Sequence, residues 1–202
     1  MKIALIGASG NAGSRILREL ADRGHAVTAI ARDPARIAAL PGVTAIAGDI
    51  ADPAALTALL AGHDVVVSAV DFLQTDAPSL IATVKAATPS RYLVVGGAGS
   101  LEVAPGVRLV DTPDFPDAYK AESLAGAAFL DLLRGEAALD WTFLSPSAMF
   151  VSGERTGHFR LGADTLLVGE GGSVISFEDY AVALTDEIET PAHRRQRFTV
   201  GY

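Results

Sequence analysis

The chain has 202 residues, 50 % of them hydrophobic and only 20 % charged, enough apolar material for a sizeable buried core and too much for a disordered chain. Its formal net charge of -8 argues against a nucleic-acid or anionic-membrane surface, because neutralising phosphate takes clustered Lys and Arg. There is no cysteine, which excludes disulfides, thiolate catalysis and cysteine-ligated zinc, and the four histidines (His25, His63, His158, His193) are scattered without metal-ligand spacing.

The first element is a short apolar strand over residues 2-6 that runs straight into Gly7-Ala-Ser9-Gly10-Asn11-Ala12-Gly13 and then an amphipathic helix over 12-23, with Ile16, Leu17 and Leu20 on its apolar stripe. A strand, three glycines at this spacing and a helix form the arrangement of a dinucleotide pyrophosphate site. Gly7 turns the chain off the strand, Gly10 lets the backbone approach phosphate, and Gly13 lets the helix pack close. The unpaired NH groups at the start of the helix then face the anion. A single Lys precedes Gly7, and no apolar run approaches membrane length, so neither a signal peptide nor a spanning helix is expected and a cytoplasmic location follows.

Apolar runs alternate with helical patterns through most of the chain, which predicts βαβ units and a parallel sheet. Strands are expected at 2-6, 26-30, 43-46, 64-69, 91-95 and 140-144, with helices at 12-23, 34-40, 53-61, 77-88 and 117-134. Asp33-Pro34 and Asp52-Pro53 supply capping chemistry for two of these helices. Right-handed crossovers wind the six strands in the order 3-2-1-4-5-6, a doubly wound α/β sheet of the Rossmann-like class. After Pro146 the alternation gives way to a glycine-rich stretch from Gly153 to Gly172, with strand-like pieces at 157-161 and 165-168. Ser176-Phe-Glu-Asp179 is a capping box opening a helix to about Glu189, and a last strand covers 197-200. With no repeat or linker, the economical organisation is a single NAD(P)-binding domain over 1-202, in which about 146-202 form a small substrate-side lobe.

Ligands in such sheets sit beyond the carboxyl ends of the strands. After strand two stands Arg32, placed to pair with the 2′-phosphate of NADP, with Asp33 beside it as a rival contact to a free ribose hydroxyl, so NADP is favoured and NAD stays open. Asp49, with Ile50, follows strand three, where it can accept from an adenine amino group or simply bond its own turn. Ser68, Ala69 and Val70 end strand four on the side of the second ribose and nicotinamide. Gly96 and Gly97, with Gly99, leave almost no side chain after strand five, which suits close approach of something planar or a loop needing positive φ.

Taken together, Gly7 to Gly13, Ala31-Arg-Asp-Pro34, Gly48-Asp49, Leu144-Ser145-Pro146 and Ile175-Ser-Phe-Glu-Asp-Tyr-Ala181 resemble the atypical short-chain dehydrogenase/reductases. The resemblance is to their NmrA-like branch, which includes proteins called NADH-flavin reductases and is similar to biliverdin reductase B. Val94 to Leu101 and Arg197 to Tyr202 point to the NADH-flavin reductase group within it. The resemblance covers nearly the whole chain and implies an NAD(P) cofactor held also by Lys120, Ser145 and Pro146.

Ordinary members of the wider family use Tyr-x-x-x-Lys, which puts phenol and ammonium on one helix face so that the lysine eases proton transfer. Here Tyr119 and Lys120 are adjacent, about 100° apart around a helix. A Tyr-Lys relay is therefore disfavoured, although Lys120 can still hold a ribose hydroxyl and Tyr119 can line the pocket. Ala98 replaces a serine of biliverdin reductase B, which leaves Ser100 as the remaining hydroxyl in that loop. Without a built-in acid, the acceptor best served is one that takes hydride without an immediate proton, such as a flavin or quinone. Phe72, Leu101, Phe115, Met149 and Phe150 are candidates for its apolar walls, and the run from Glu154 to Arg160 can present cations to an acidic substrate or a flavin phosphate.

The expectation is thus an NAD(P)H-dependent reductase with Ser100, Tyr119 and Lys120 nearest the chemistry. Its partner is a planar small molecule, FMN or FAD enters only as substrate, and no metal, nucleic acid or membrane takes part. Monomer and homodimer are both compatible with the sequence. The alternative is a non-catalytic NADP(H)-sensing regulator, and a third reading, an epimerase or dehydratase, would need the missing Tyr-x-x-x-Lys.

Overall fold

The computed structural model describes residues 1-202. Its centre is an eight-stranded sheet, built from β1 (Lys2–Ile6), β2 (Ala26–Ala31), β3 (Val43–Ala47), β4 (Val65–Ser68), β5 (Arg91–Val95), β8 (Trp141–Pro146), β10 (Arg160–Gly162) and β12 (Gln196–Gly201). Their order across the sheet is β10-β12-β8-β5-β4-β1-β2-β3. The six expected strands therefore lie in the expected 3-2-1-4-5-6 order. All neighbours are parallel except β10, which runs antiparallel to β12 at one edge.

Parallel strands covered on both faces are buried, as β4 and β5 are throughout and β1 is beyond Lys2. Alternation sends Ile3 and Leu5 of β1 to one face and Ala4 and Ile6 to the other, where they join two separate apolar clusters. The first cluster packs under α1 (Asn11–Asp22) and α5 (Phe177–Glu189). The second packs under α2 (Pro53–Leu60), α3 (Ala77–Ala87) and α4 (Asp117–Arg134). Helix starts follow the capping chemistry of the sequence: Asp52, Asp76 and Ser176 each accept a backbone NH of the first turn.

Two local expectations are corrected and a third is narrowed. Residues 34-40 form only a 3-10 turn, Pro34–Arg36, because the segment is too short to nucleate a helix and Leu40 precedes Pro41, which disfavours helical backbone there. Residues 165-168 form no strand, and Thr165 makes only an isolated bridge to Glu102. The piece expected near 157-161 is a strand only at its end, β10, which pairs antiparallel with β12. Two small pairings escape sequence reading: β6 (Glu102–Ala104) with β7 (Val107–Arg108), and β9 (Met149–Val151) with β11 (Val174–Ser176). No helix is long and apolar enough to cross a membrane.

Candidate functional site

The glycine turn is shaped by its own packing. Gly7 has φ +82°, and a Cβ there would lie 2.1 Å from the Ala69 carbonyl oxygen, so a side chain is excluded both by conformation and by the end of β4. At Gly13 a Cβ would lie 2.1 Å from the Gly7 carbonyl oxygen, which makes this glycine the close-packing point between α1 and the turn. Gly10 differs: its Cβ would meet nothing nearer than the Gly7 oxygen at 3.4 Å. It is the N-cap of α1 with no side-chain cap, and the helical ladder starts with Ser14 N donating to the Gly10 carbonyl. The NH groups of Asn11, Ala12 and Gly13 precede that bond and are left for an anion, which fits a pyrophosphate.

Two cavities open at the carboxyl ends of the strands and share Gly10, Ala69 and Val70. The smaller, ≈ 450 Å³, is bordered by Gly7, Ser9, Arg32, Asp49 and Ile50 of the expected set, together with Arg36 and Gln74. The larger, ≈ 620 Å³, is bordered by Asn11, Ala12, Gly13, Gly96, Gly97, Ser100, Tyr119 and Pro146. Together they make one elongated cleft, bent over the start of α1.

At the smaller end, Asp33 is turned away: its carboxylate accepts from Ala35 N at 3.1 Å and caps the 3-10 turn. Arg32 and Arg36 are exposed on the rim. Asp49 accepts from Ala51 N at 3.0 Å, so it performs the local role while also bordering the cavity. At the larger end, Gly96 is packed against Phe143 and the Leu144 carbonyl, whereas a Cβ at Gly97 would meet nothing within 4 Å. Neither glycine, nor Gly99, has positive φ, so turn geometry does not account for them; Gly96 and Gly99 are required by packing against Phe143 and Ser123, and Gly97 leaves open space on the cavity wall.

Phe72, Phe115, Met149 and Phe150 wall the larger cavity, but Leu101 does not; it is fully buried in the interior. Tyr119 stands on the first turn of α4, 66 % exposed, at the mouth. Ser100 lines the wall and its Oγ accepts from Arg197 Nη1 at 3.2 Å, which leaves its own hydrogen free to donate.

Three expected site residues fall outside the cleft. Ser68 is buried, its hydroxyl bonded to the Tyr92 hydroxyl at 2.8 Å, because alternation points it into the sheet face while Ala69 and Val70 reach the edge. Ser145 is fully buried on β8, where its backbone carbonyl accepts from Thr199 Oγ1 of the neighbouring β12 at 2.9 Å. Lys120, one position round the helix from Tyr119, projects to solvent and is not part of the wall. The cation cluster is also spent elsewhere. Arg155 makes two bonds to Glu19 at 2.7 and 2.8 Å, and Arg160 donates to the Val168 and Tyr202 carbonyls.

Sequence reading missed Glu122. It lies one turn after Tyr119, a spacing that puts both on one helix face, and that was the available signal. Its two carboxylate oxygens accept from Phe72 N and Leu73 N, both at 2.7 Å, so α4 pins the loop after β4 beside the cleft. Burial pushes its carboxyl above the usual range; those two NH groups pull it back, and the side chain of Asp71, by hydrogen bonding and then by charge, adds to the rise. Thr112 and Asp114 of the loop before α4 also border the larger cavity.

Comparison with known proteins agrees with this geometry. Residues 7-191 match the family model described as NAD(P)H-binding. Three solved structures are similar over the whole chain. A "putative exported protein" of Burkholderia pseudomallei is 50 % identical (TM-score 0.90, 100 % of each chain). A "putative epimerase" of Bacteroides thetaiotaomicron is 41 % identical (TM-score 0.95, 100 % of this chain and 96 % of that one). A "putative NADH-flavin reductase" of Streptococcus pneumoniae is 40 % identical (TM-score 0.87, 100 % of this chain and 99 % of that one). With the glycine turn, the strand order and the cleft all in place, the chain belongs to the NAD(P)H-binding family, in the NmrA-like group of atypical short-chain dehydrogenase/reductases.

Proposed function

We propose that the protein is an NAD(P)H-dependent oxidoreductase that binds NADP and passes hydride directly to a planar acceptor of the flavin or quinone type. The observation that carries this reading is the two-part cleft. A phosphate-compatible turn with two arginines on its rim is continuous, across Ala69 and Val70, with an apolar cavity large enough for a second ring system.

Arg32 and Arg36 would pair with the 2′-phosphate, and the capping role of Asp33 removes its claim on the ribose. The NH groups of Asn11, Ala12 and Gly13 would hold the pyrophosphate. Gly97 and Ala69 would let the nicotinamide lie against backbone, with Phe72 and Phe150 walling the acceptor. The bound nicotinamide supplies the hydride from its C4. The chain's part is to align two rings and exclude water from between them, and the one proton that completes the reduction comes from solvent. The name of the Streptococcus relative supports this chemistry. The epimerase name of the Bacteroides relative calls for an acid/base pair beside the nicotinamide, and no Tyr-Lys pair shares a face here.

The test is to mix the purified protein with NADPH and NADH in turn and follow loss of reduced-nicotinamide absorbance with riboflavin, FMN, a quinone and an azo dye. Turnover with one planar acceptor is expected. Cofactor binding without turnover of any acceptor would overturn the reductase reading in favour of an NADP(H) sensor.

A further inference from the structure

The acceptor end of the cleft carries charge of one sign. Asp114 and Glu122 are the charged side chains of the larger cavity, and no Lys, Arg or His borders it. Asp114 is exposed on the loop that closes the mouth beside Phe115 and Tyr119. Glu122 is committed to two backbone NH groups, so no cation neutralises it. Of the cations nearby in the fold, Arg108 holds Asp111 at 2.7 and 3.1 Å, Arg197 holds Asp164 at 2.7 Å and reaches the wall only behind the Ser100 hydroxyl, and Lys120 projects to solvent without bordering the cavity.

Resting on the hydride-transfer reading, we infer that the acceptor end selects uncharged planar substrates, a quinone or an isoalloxazine without its phosphate, and discriminates against FMN and FAD. A phosphate dianion drawn into this cavity meets two carboxylates on its wall and no lining guanidinium or ammonium, so it loses hydration without gaining a partner there. An uncharged ring gives up far less hydration than a dianion and buries its apolar faces against the aromatic walls. The overall reaction balances without an enzymatic acid: NADPH, acceptor and one proton give NADP⁺ and the two-electron-reduced acceptor. The nicotinamide C4–H bond breaks with its electron pair, the hydride bonds to the acceptor ring, and water supplies the proton.

Riboflavin and FMN share one ring and differ by the phosphate, so they isolate the charge. At saturating NADPH, kcat/KM for riboflavin should exceed that for FMN by about tenfold, a gap that narrows in high salt as the repulsion is screened. Asp114→Lys, on an exposed loop, should raise FMN turnover relative to riboflavin by about fivefold or more by reversing the charge at the mouth. Quenching of flavin fluorescence on the NADP⁺-loaded protein gives the same comparison without turnover. FMN used or bound as well as riboflavin would overturn the inference, as would an Asp114→Lys ratio equal to that of the parent. Preferential riboflavin binding with no turnover of any acceptor would overturn only the reductase reading.

Discussion

At the scale of single residues, the three glycines of the turn divide into two kinds. Gly7 and Gly13 face backbone, where a Cβ would lie 2.1 Å from a carbonyl oxygen, whereas Gly10 faces the open cleft. Gly13→Ala is therefore expected to cost several kcal/mol, on the order of 3, or to abolish folding, since neither backbone partner can move away cheaply. Gly10→Ala should cost less than about 1 kcal/mol of stability yet weaken NADP(H) binding about tenfold by placing a methyl where phosphate approaches. Thermal unfolding and a fluorescence titration separate the two; equal destabilisation would contradict the division. Arg32→Ala should weaken NADPH about tenfold, as befits loss of one charge-assisted bond, and leave NADH unchanged. An equal loss for both cofactors would show that Arg32 does not read the 2′-phosphate.

Elements are held to the cleft by their ends. Ser176 caps α5 by accepting from Asp179 N at 2.9 Å, and the same hydroxyl donates to the Glu154 carbonyl and receives the Tyr202 hydroxyl at 2.8 Å. The cap thus joins the helix to the strap that precedes β10 and to the chain end. Ser176→Ala is expected to lower unfolding free energy by about 1–2 kcal/mol, at the upper end for a cap because the serine has three partners. Chemical denaturation measures it, and a change below a few tenths would mean that the partners find water instead. The capping motif was legible because it depends only on residues three apart. The failed helix at 34-40 shows the converse: Asp33 and Pro34 announced a helix start, but Pro41 left too few residues to make the nucleus favourable.

Across the whole molecule, α1 and α5 share one face of the sheet and are tied by ion pairs as well as apolar contact. Glu19 accepts from both Arg155 and Arg23, Glu178 from Arg15, and Glu189 from Arg23 and His25. Arg155, ahead of Arg23, holds the Glu19 carboxyl below its usual range despite its burial. For Glu178 and Glu189, burial is the largest influence and opposes the shift, but their arginine partners and other bonds outweigh it and the result is again downward. A carboxylate lowered in the folded state binds its proton more tightly when unfolded. Its contribution is complete above the unfolded pKa and is lost as pH falls through the folded one. Acidification from neutral should therefore lower the thermal midpoint. The gap between the parent and Glu19→Gln should be largest near neutrality and shrink in acid; a gap independent of pH would rule this coupling out.

The strand order, the two helical layers and the phosphate turn were determined by the sequence itself. They rest on local signals: apolar period, caps, and glycines at fixed spacing beside a strand. Reading the residues that follow each strand brought most of the expected set to the border of the two cavities, because residues after parallel strands share one sheet edge whatever their distance in sequence, whereas of Lys120, Ser145 and Pro146, which the resemblance added, only Pro146 borders one. Only tertiary structure decided which side chains of those segments face the cleft. Ser68 turns inward to the Tyr92 hydroxyl by alternation, Ser145 is enclosed in the sheet with its hydroxyl unpartnered, and Lys120 turns outward by the helical step from Tyr119. Arg155 and Arg160 serve Glu19 and the chain end rather than a ligand, and Glu122 enters the cleft wall through contact with a loop 50 residues earlier. Pairings of that length depend on how distant segments pack, for which a local pattern holds no record.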